Sequence, residues 1–186
     1  MTQVYPSVDP AVAFNIAGDR QVLYKEQAMN PLTLVSTQNT MSLSTIGQDG
    51  FPEASYAPMA FIEGKLYSLL SGLSAHSHNL MRHPQAGLLI LSESARNPFA
   101  RERMSLRATA TVIDREDPKF DSICQDMQHA LDETVSLLVG LPDFQLFEFT
   151  PIGGDYIQGF GRAYTLNAAI EVVEHVDPRT STPTDD

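Results

Sequence analysis

The chain has 186 residues, 42% of them hydrophobic and 19% charged, with 12 Lys or Arg against 23 Asp or Glu and a net charge of -11. That is the length and composition of one globular domain with a sizeable core, and it excludes a disordered chain. The acidic balance argues against non-specific nucleic-acid binding, which depends on neutralising phosphates, yet a local cationic pocket stays open because nine of the twelve cations are Arg.

The single cysteine, Cys124, rules out an internal disulfide and speaks against a Cys-based zinc site. No apolar run approaches the ~18 residues of a membrane span. The start, MTQVYPSVDPAVAFNIAGDR, lacks the basic opening and long apolar run of a signal peptide. A cytoplasmic protein without membrane or nucleic-acid partners is expected.

Residues 1–18 read as an irregular lead-in. Residues 19–29 (DRQVLYKEQAM) read as a short helix, with Asp19 as N-cap, Val22, Leu23 and Gln27 on one face, and Asn30-Pro31 as the stop. From Leu32 to Leu70, runs rich in Thr, Val, Ile, Tyr and Phe are punctuated by GQDG (47–50) and EG (63–64). This predicts adjacent antiparallel strands near 41–46, 52–61 and 65–70. Residues 73–83 (LSAHSHNLMRH) predict a short helix with Ser74 as N-cap, Leu73 and Leu80 facing the core, and Pro84 as the stop. The apolar run 86–92 is of strand length, and 93–102 is a polar loop.

Residues 103–113 alternate cleanly. Met104, Leu106, Ala108, Ala110 and Val112 share the buried face of the predicted strand; Arg103, Ser105, Arg107, Thr109 and Thr111 share the other. Asp117-Pro118 opens a helix over 118–138, amphipathic through Phe120, Ile123, Cys124, Met127, Leu131, Val135 and Leu138, with room for a break near 130 and Gly140 as the stop. Residues 144–150 and 155–160 read as strands joined by a PIGG turn, a short helix follows Asn167, and 177–186 is an acidic disordered tail. Residues 19–176 thus form one domain. Many antiparallel strands and few helices predict a small closed barrel with helices packed outside.

Three places can carry chemistry. Ser71 to Asn79 lie where a strand ends and a helix begins. First-turn N–H groups lack intrahelical partners and the helix dipole adds positive charge, so an anion can bind there, with Ser74, His76 and Asn79 as further donors. An ordinary capped surface helix has the same pattern. Arg101, Arg103 and Arg107 are the second place. Arg103 and Arg107 share a strand face about 13 Å apart, and a guanidinium clamps phosphate or carboxylate in bidentate fashion. A solvated face paired with Glu93, Glu102 or Asp114 is the competing description. The third is His175, either a surface residue or an axial ligand beneath a folded tail.

His76 and His78 are two apart on a helix and do not face each other, which argues against a metal pair. Cys124 sits on an apolar stripe and reads as core. Gly159 and Gly161 flank Phe160 and suit either a close backbone approach or a bulge. There is no GxGxxG, P-loop or G-x-S-x-G.

The stretches FPEASYAPMAF (51–61), SGLSAHSHNLMRHPQAGLLIL (71–91), ARERMSLRATATVI (100–113), LPDFQLFEF (141–149) and GGDYIQGFGRAY (153–164) resemble the pyridoxamine 5′-phosphate oxidase-like, FMN-binding split-barrel superfamily. Within it they are most similar to HugZ/HutZ-type haem-utilisation proteins. The likeness runs from about Met41 to Tyr164. It implies a mainly β (α+β) fold, a six- or seven-stranded antiparallel split β-barrel with flanking helices, and a homodimer with ligand pockets at the subunit interface. In flavin-binding members the segment matching 71–79 carries a Ser and basic residues that hold the FMN phosphate. His76 stands where those members often have Lys, and Arg103 where an Arg commonly opens the following strand. In haem-type members a C-terminal His is the axial ligand, and His175 lies in a comparable place. Some carry an acidic residue before the Gly that is here Gly140; this chain has Val139.

The resemblance therefore implies haem or FMN as cofactor, with Ser71, Ser74, His76, Asn79, Arg103 and His175 as binding residues and His175 as the ligand to haem iron. The leading expectation is haem binding with O2-dependent haem degradation, in which Arg103, His76 and the 74–76 amides hold the propionates. The alternatives are an FMN-dependent oxidoreductase, whose phosphate sits on Ser74, His76 and Arg103, and a non-catalytic cofactor-binding protein. No side chain stands out as a general acid or base.

Overall fold

The computed structural model describes residues 30–93, 97–159 and 162–176. The lead-in 1–18, the helix expected over 19–29, Phe160, Gly161 and the tail 177–186 lie outside the described residues. The fold belongs to one unit beginning at Pro31.

Pro31, expected only as a stop, opens α1 (Pro31–Thr37), because a missing N–H costs nothing in the first helical turn. β1 (Thr40–Ile46) and β2 (Pro52–Pro58) form the predicted hairpin across GQDG. The run 52–61 is not one strand. After Met59 the chain becomes β3 (Ala60–Ile62), which pairs with β4 (Lys65–Ser71) instead of β1. The corner is fixed by the Met59 N–H donating to Asn39 O at 2.8 Å and by Ser68 Oγ donating to Pro58 O at 2.6 Å.

α2 (Ala75–Arg82) and β5 (Gln85–Leu91) follow as predicted. A 3-10 turn over Pro98–Ala100 leads into β6 (Arg103–Ile113). The helix expected over 118–138 is two, α3 (Phe120–Ala130) and α4 (Thr134–Val139). Asp132 Oδ1 accepts the Thr134 N–H at 2.8 Å and its hydroxyl at 2.6 Å, a local side-chain bond that restarts the helix.

The PIGG turn does not exist. β7 (Phe144–Ile157) runs straight through it. The register against β6 shifts between Arg107 and Ala108, which face Gly153 and Pro151, so Ile152 is the extra residue of a bulge. A bulge tolerates Pro151, which has no N–H to give to the ladder. The helix expected after Asn167 is also absent. β8 (Ala163–Leu166) and β9 (Val172–His175) flank a tight turn there. Asn167 Oδ1 accepts the Ala169 and Glu171 N–H groups at 2.9 and 3.0 Å, and side-chain bonds of this kind favour a turn over a helix.

The strand order is β2-β1-β5-β6-β7-β4-β3, with β8 on β7 and β9 on β8, and every pairing is antiparallel. Only Met59 separates β2 from β3, so the two ends of that order meet and the sheet curls into the expected split barrel. Leu43, Leu88, Met104, Leu106 and Phe149 fill its inside, with Leu34 and Val35 of α1 and Leu80 of α2 joining them. A second cluster under α3 and α4 gathers Tyr67, Leu69, Ile113, Phe120, Ile123, Cys124, Met127 and Leu146. The helices therefore divide: α3 and α4 pack outside as expected, while α1 and α2 add side chains to the barrel core.

Two expected core residues are not core. Leu73 is 83% exposed because it precedes the helix on a loop. Val112 is 38% exposed because beyond Ala110 the buried side of β6 changes to the α3 cluster, where Ile113 packs.

Candidate functional site

The structure separates the predicted site residues into three groups. The first is at the start of α2. Ser74 occupies the N-cap position but its side chain makes no capping bond. His76 is half-buried and its Nδ1 lies 3.0 Å from Ser55 Oγ on β2, while His78 is exposed, so the two imidazoles do part company as the spacing predicts. Burial pushes the His76 imidazole below its ordinary pKa, so the neutral ring is favoured near pH 7. Asn79 is buried, and its Nδ2 donates to Thr45 Oγ1 at 3.1 Å and to Glu53 Oε2 at 2.9 Å. Those bonds tie α2 to the β1–β2 hairpin. Ser71 Oγ donates to Asp143 Oδ2 at 2.8 Å, and Ser77 Oγ donates to Ser71 O at 2.7 Å.

The second group is on the outward face of β2, β1, β5 and β6. Ser42, Ser44, Ser105 and Arg107 are exposed there, and Leu89, Leu91 and Arg103 half-buried. Two clefts that share Leu89 follow this face. One, of about 250 Å³, is lined by Ser42, Tyr56, Leu91 and Arg101 among others. The next, of about 280 Å³, is lined by Ser44, Gly87, Ser105, Arg107, Gly154 and Asp155. Arg103 Nη1 donates to Arg101 O at 3.1 Å. Arg101 Nε is buried without a hydrogen-bond partner. A buried donor left open in this way costs about 1–3 kcal/mol until an acceptor arrives.

The third group is His175, on β9 opposite Tyr164, with the two ring centroids 5.2 Å apart in an edge arrangement. Val176 N–H donates to Ala163 O at 2.8 Å and secures the strand just beyond it.

Along the sheet the three groups lie on separate stretches, and no hydrogen bond joins His76 to Arg103. Ser55, Leu43, Leu88 and Leu106 form one row across the barrel, and Arg103 lies three residues further along β6. That is about 17 Å along the sheet. Alternation also turns Arg103 outward, whereas Leu43 and Leu106 point inward. His175 lies further round the same sheet than the first cleft. The row Leu91, Arg103, Ile157, Ala163 and Val176 spans four strand spacings, about 19 Å along the sheet.

Sequence reasoning missed Ser55, Tyr56, Leu89, Leu91 and Tyr164. Leu89 and Leu91 looked like uniform core, and only pairing with Ser42 and Arg103 shows that they face outward. Ser55 could have been found by asking what lies opposite Leu43 once GQDG had set the hairpin register. Among the described residues no three His, Cys, Asp or Glu side chains are grouped to hold a metal ion. Nor is any helix among them long and apolar enough to cross a membrane.

Residues 30–158 match the family model described as pyridoxamine 5′-phosphate oxidase. The chain is 30% identical over 132 residues to heme oxygenase HutZ of Vibrio cholerae serotype O1, covering 70% of this chain and 75% of the relative. A crystal structure of HutZ from Vibrio cholerae, described as a heme storage protein, superposes with a TM-score of 0.60 at 27% identity, covering 64% of this chain and 85% of the other. Campylobacter jejuni ChuZ gives a TM-score of 0.70 at 22% identity, covering 91% and 66%. A pyridoxamine 5′-phosphate oxidase-related, FMN binding protein from Nostoc punctiforme gives 0.56 at 19% identity, covering 93% and 100%. The last two likenesses concern the fold.

Proposed function

The chain belongs to the pyridoxamine 5′-phosphate oxidase family, and from that premise and the geometry above we propose that it binds haem between two copies of itself and supports O2-dependent haem degradation. The observation that carries this reading is the 30% identity to a heme oxygenase across most of both chains. The donor set fits such a group. Leu89 and Leu91 offer apolar surface to a flat macrocycle, and the unpartnered Arg101 Nε beside them offers a cationic donor to a carboxylate.

In this reading the outward face of the sheet is the homodimer interface, and the cleft of one copy faces His175 of the other. Arg101 and Arg103 of one copy hold the propionates. His175 of the other copy binds the iron through an imidazole nitrogen. Tyr56, Leu89 and Leu91 exclude water from the macrocycle. When bound, haem supplies the oxygen chemistry, and the protein sets ligation and access. The α2 start, with the Ser74 hydroxyl, His76 and the 75 and 76 amides, is a separate anion site, while the Ser74 N–H is already taken by Ser71 O at 3.1 Å; Ser71 and Asn79 hold it in place through Asp143 and Glu53. We place the dimer in the cytoplasm.

The second reading is an FMN-dependent oxidoreductase, favoured by one observation. Ser74, Ser55 and His76 gather polar atoms at a helix start, where a 5′-phosphate would sit. Against it, burial favours neutral His76, and the Glu53 carboxylate lies on the next side chain of the helix face. Haemin and FMN titrations separate the two. Haem binding gives a saturable Soret band that His175→Ala shifts and weakens. FMN quenching without a Soret band would replace the first reading with the second, and haem binding without turnover under O2 and reductant would make the protein a carrier.

A further inference from the structure

We infer that Tyr164 is a positioning residue for His175, an inference that rests on the haem reading. The backbone of His175 is held against β8, by its pairing with Tyr164 and, one residue on, by the Val176 N–H on Ala163 O at 2.8 Å. The imidazole orientation is then set by rotation about its own side-chain bonds. Its ring stands against that of Tyr164 at 5.2 Å between centroids and 63° between planes, an edge geometry that aromatic pairs favour.

Tyr164 cannot follow the imidazole if it turns. It is 7% exposed and packs against Tyr156, whose ring lies 6.2 Å away and is 1% exposed. The Tyr156 hydroxyl donates to Glu102 just ahead of β6. An anchored column of two aromatic rings therefore ends on the one exposed imidazole that the haem reading assigns to iron. Groups that orient a ligating His typically change metal affinity by about 10–100-fold when removed. Here the orienting group acts through its ring face or edge, so Phe should replace Tyr and an aliphatic residue should not.

The test uses the full chain with haemin as the probe. Tyr164→Phe, Tyr164→Leu, His175→Ala and the Tyr164→Leu/His175→Ala double variant are compared by Soret titration and by the g values of the ferric protein. The imidazole C–H signals of His175 are followed by NMR without haemin. Tyr164→Leu is expected to weaken haemin about 10–100-fold, to alter the g values, and to move the His175 signals out of the ring-current field. Tyr164→Phe leaves all three unchanged, and in the His175→Ala background Tyr164→Leu adds no further loss. An equal loss with and without His175, or unmoved His175 signals, overturns the positioning role. A His175→Ala protein with unchanged Soret band and affinity overturns the iron-ligand reading instead. Should Tyr164→Leu lower the folded fraction, β-branched Tyr164→Ile takes its place.

Discussion

Gly154 packs tightly against the facing strand β6, and adding one methyl group there tests the register of the two longest strands. A Cβ on Gly154 would meet the Ser105 carbonyl oxygen well inside 3.0 Å, and the Leu106 Cα and Cδ2 at 3.0 Å. Ser105 O and Leu106 Cα are backbone atoms and cannot rotate away, so β6 and β7 must part. Parting them breaks about two ladder bonds worth about 1 kcal/mol each. Overpacking adds about 1–3 kcal/mol of strain. Gly154→Ala is therefore expected to cost about 3–5 kcal/mol, or about 6–20 °C in Tm for a chain of this size. Gly64→Ala is the control. Its φ of +82 disfavours a side chain, but nothing lies within 4 Å of the added Cβ, so it should cost about 1–2 kcal/mol. Urea unfolding of both variants measures the difference. A Gly154→Ala protein no less stable than Gly64→Ala would refute the close approach and with it the Leu106–Gly154 pairing.

Three further outcomes follow from particular side chains. Burial works against the charge of Glu148, but Lys65 Nζ at 2.5 Å, the Tyr67 hydroxyl at 2.9 Å and Lys119 Nζ outweigh it and hold the carboxyl below its usual 4.5. Its stabilisation is present above 4.5 and is lost as pH falls through the lower folded value. Glu148→Gln should cost about 1–3 kcal/mol at pH 7 and flatten this acid dependence in urea titrations; an unchanged slope would count against the cluster. His76 takes its proton less readily folded than unfolded, so stability should rise with pH through the window just below 6.5, and His76→Gln should remove that rise. Leu89→Arg places a charge on the outward face and should yield monomers with weakened haemin binding, measured by light scattering and Soret titration; an intact dimer would move the interface elsewhere.

The barrel was legible where period and turn chemistry agreed. GQDG set the first hairpin, and the alternation from Arg103 to Ala110 set which side of β6 is buried. It failed where tertiary pairing overrode local signals. Pro151 and the glycines after it look like a turn, but as a bulge they continue β7 beneath β6. Asn167 looks like a helix start, but its side chain closes a turn between two strands. The site was legible as residue types and not as one constellation. Nothing in the spacing from Ser74 to Arg103 fixes where the two stand relative to each other, because that depends on which strands pair between them.

A haem site shared by two copies would put His175 of one copy on the iron held by the other. Haemin titration of the 186-residue chain beside its His175→Ala variant, read by absorption with the oligomeric state recorded in parallel, tests this. The expected result is a dimer that saturates at about one haemin per chain, with a Soret band that the variant shifts and weakens. A monomer, or a Soret band identical in the two proteins, would contradict it.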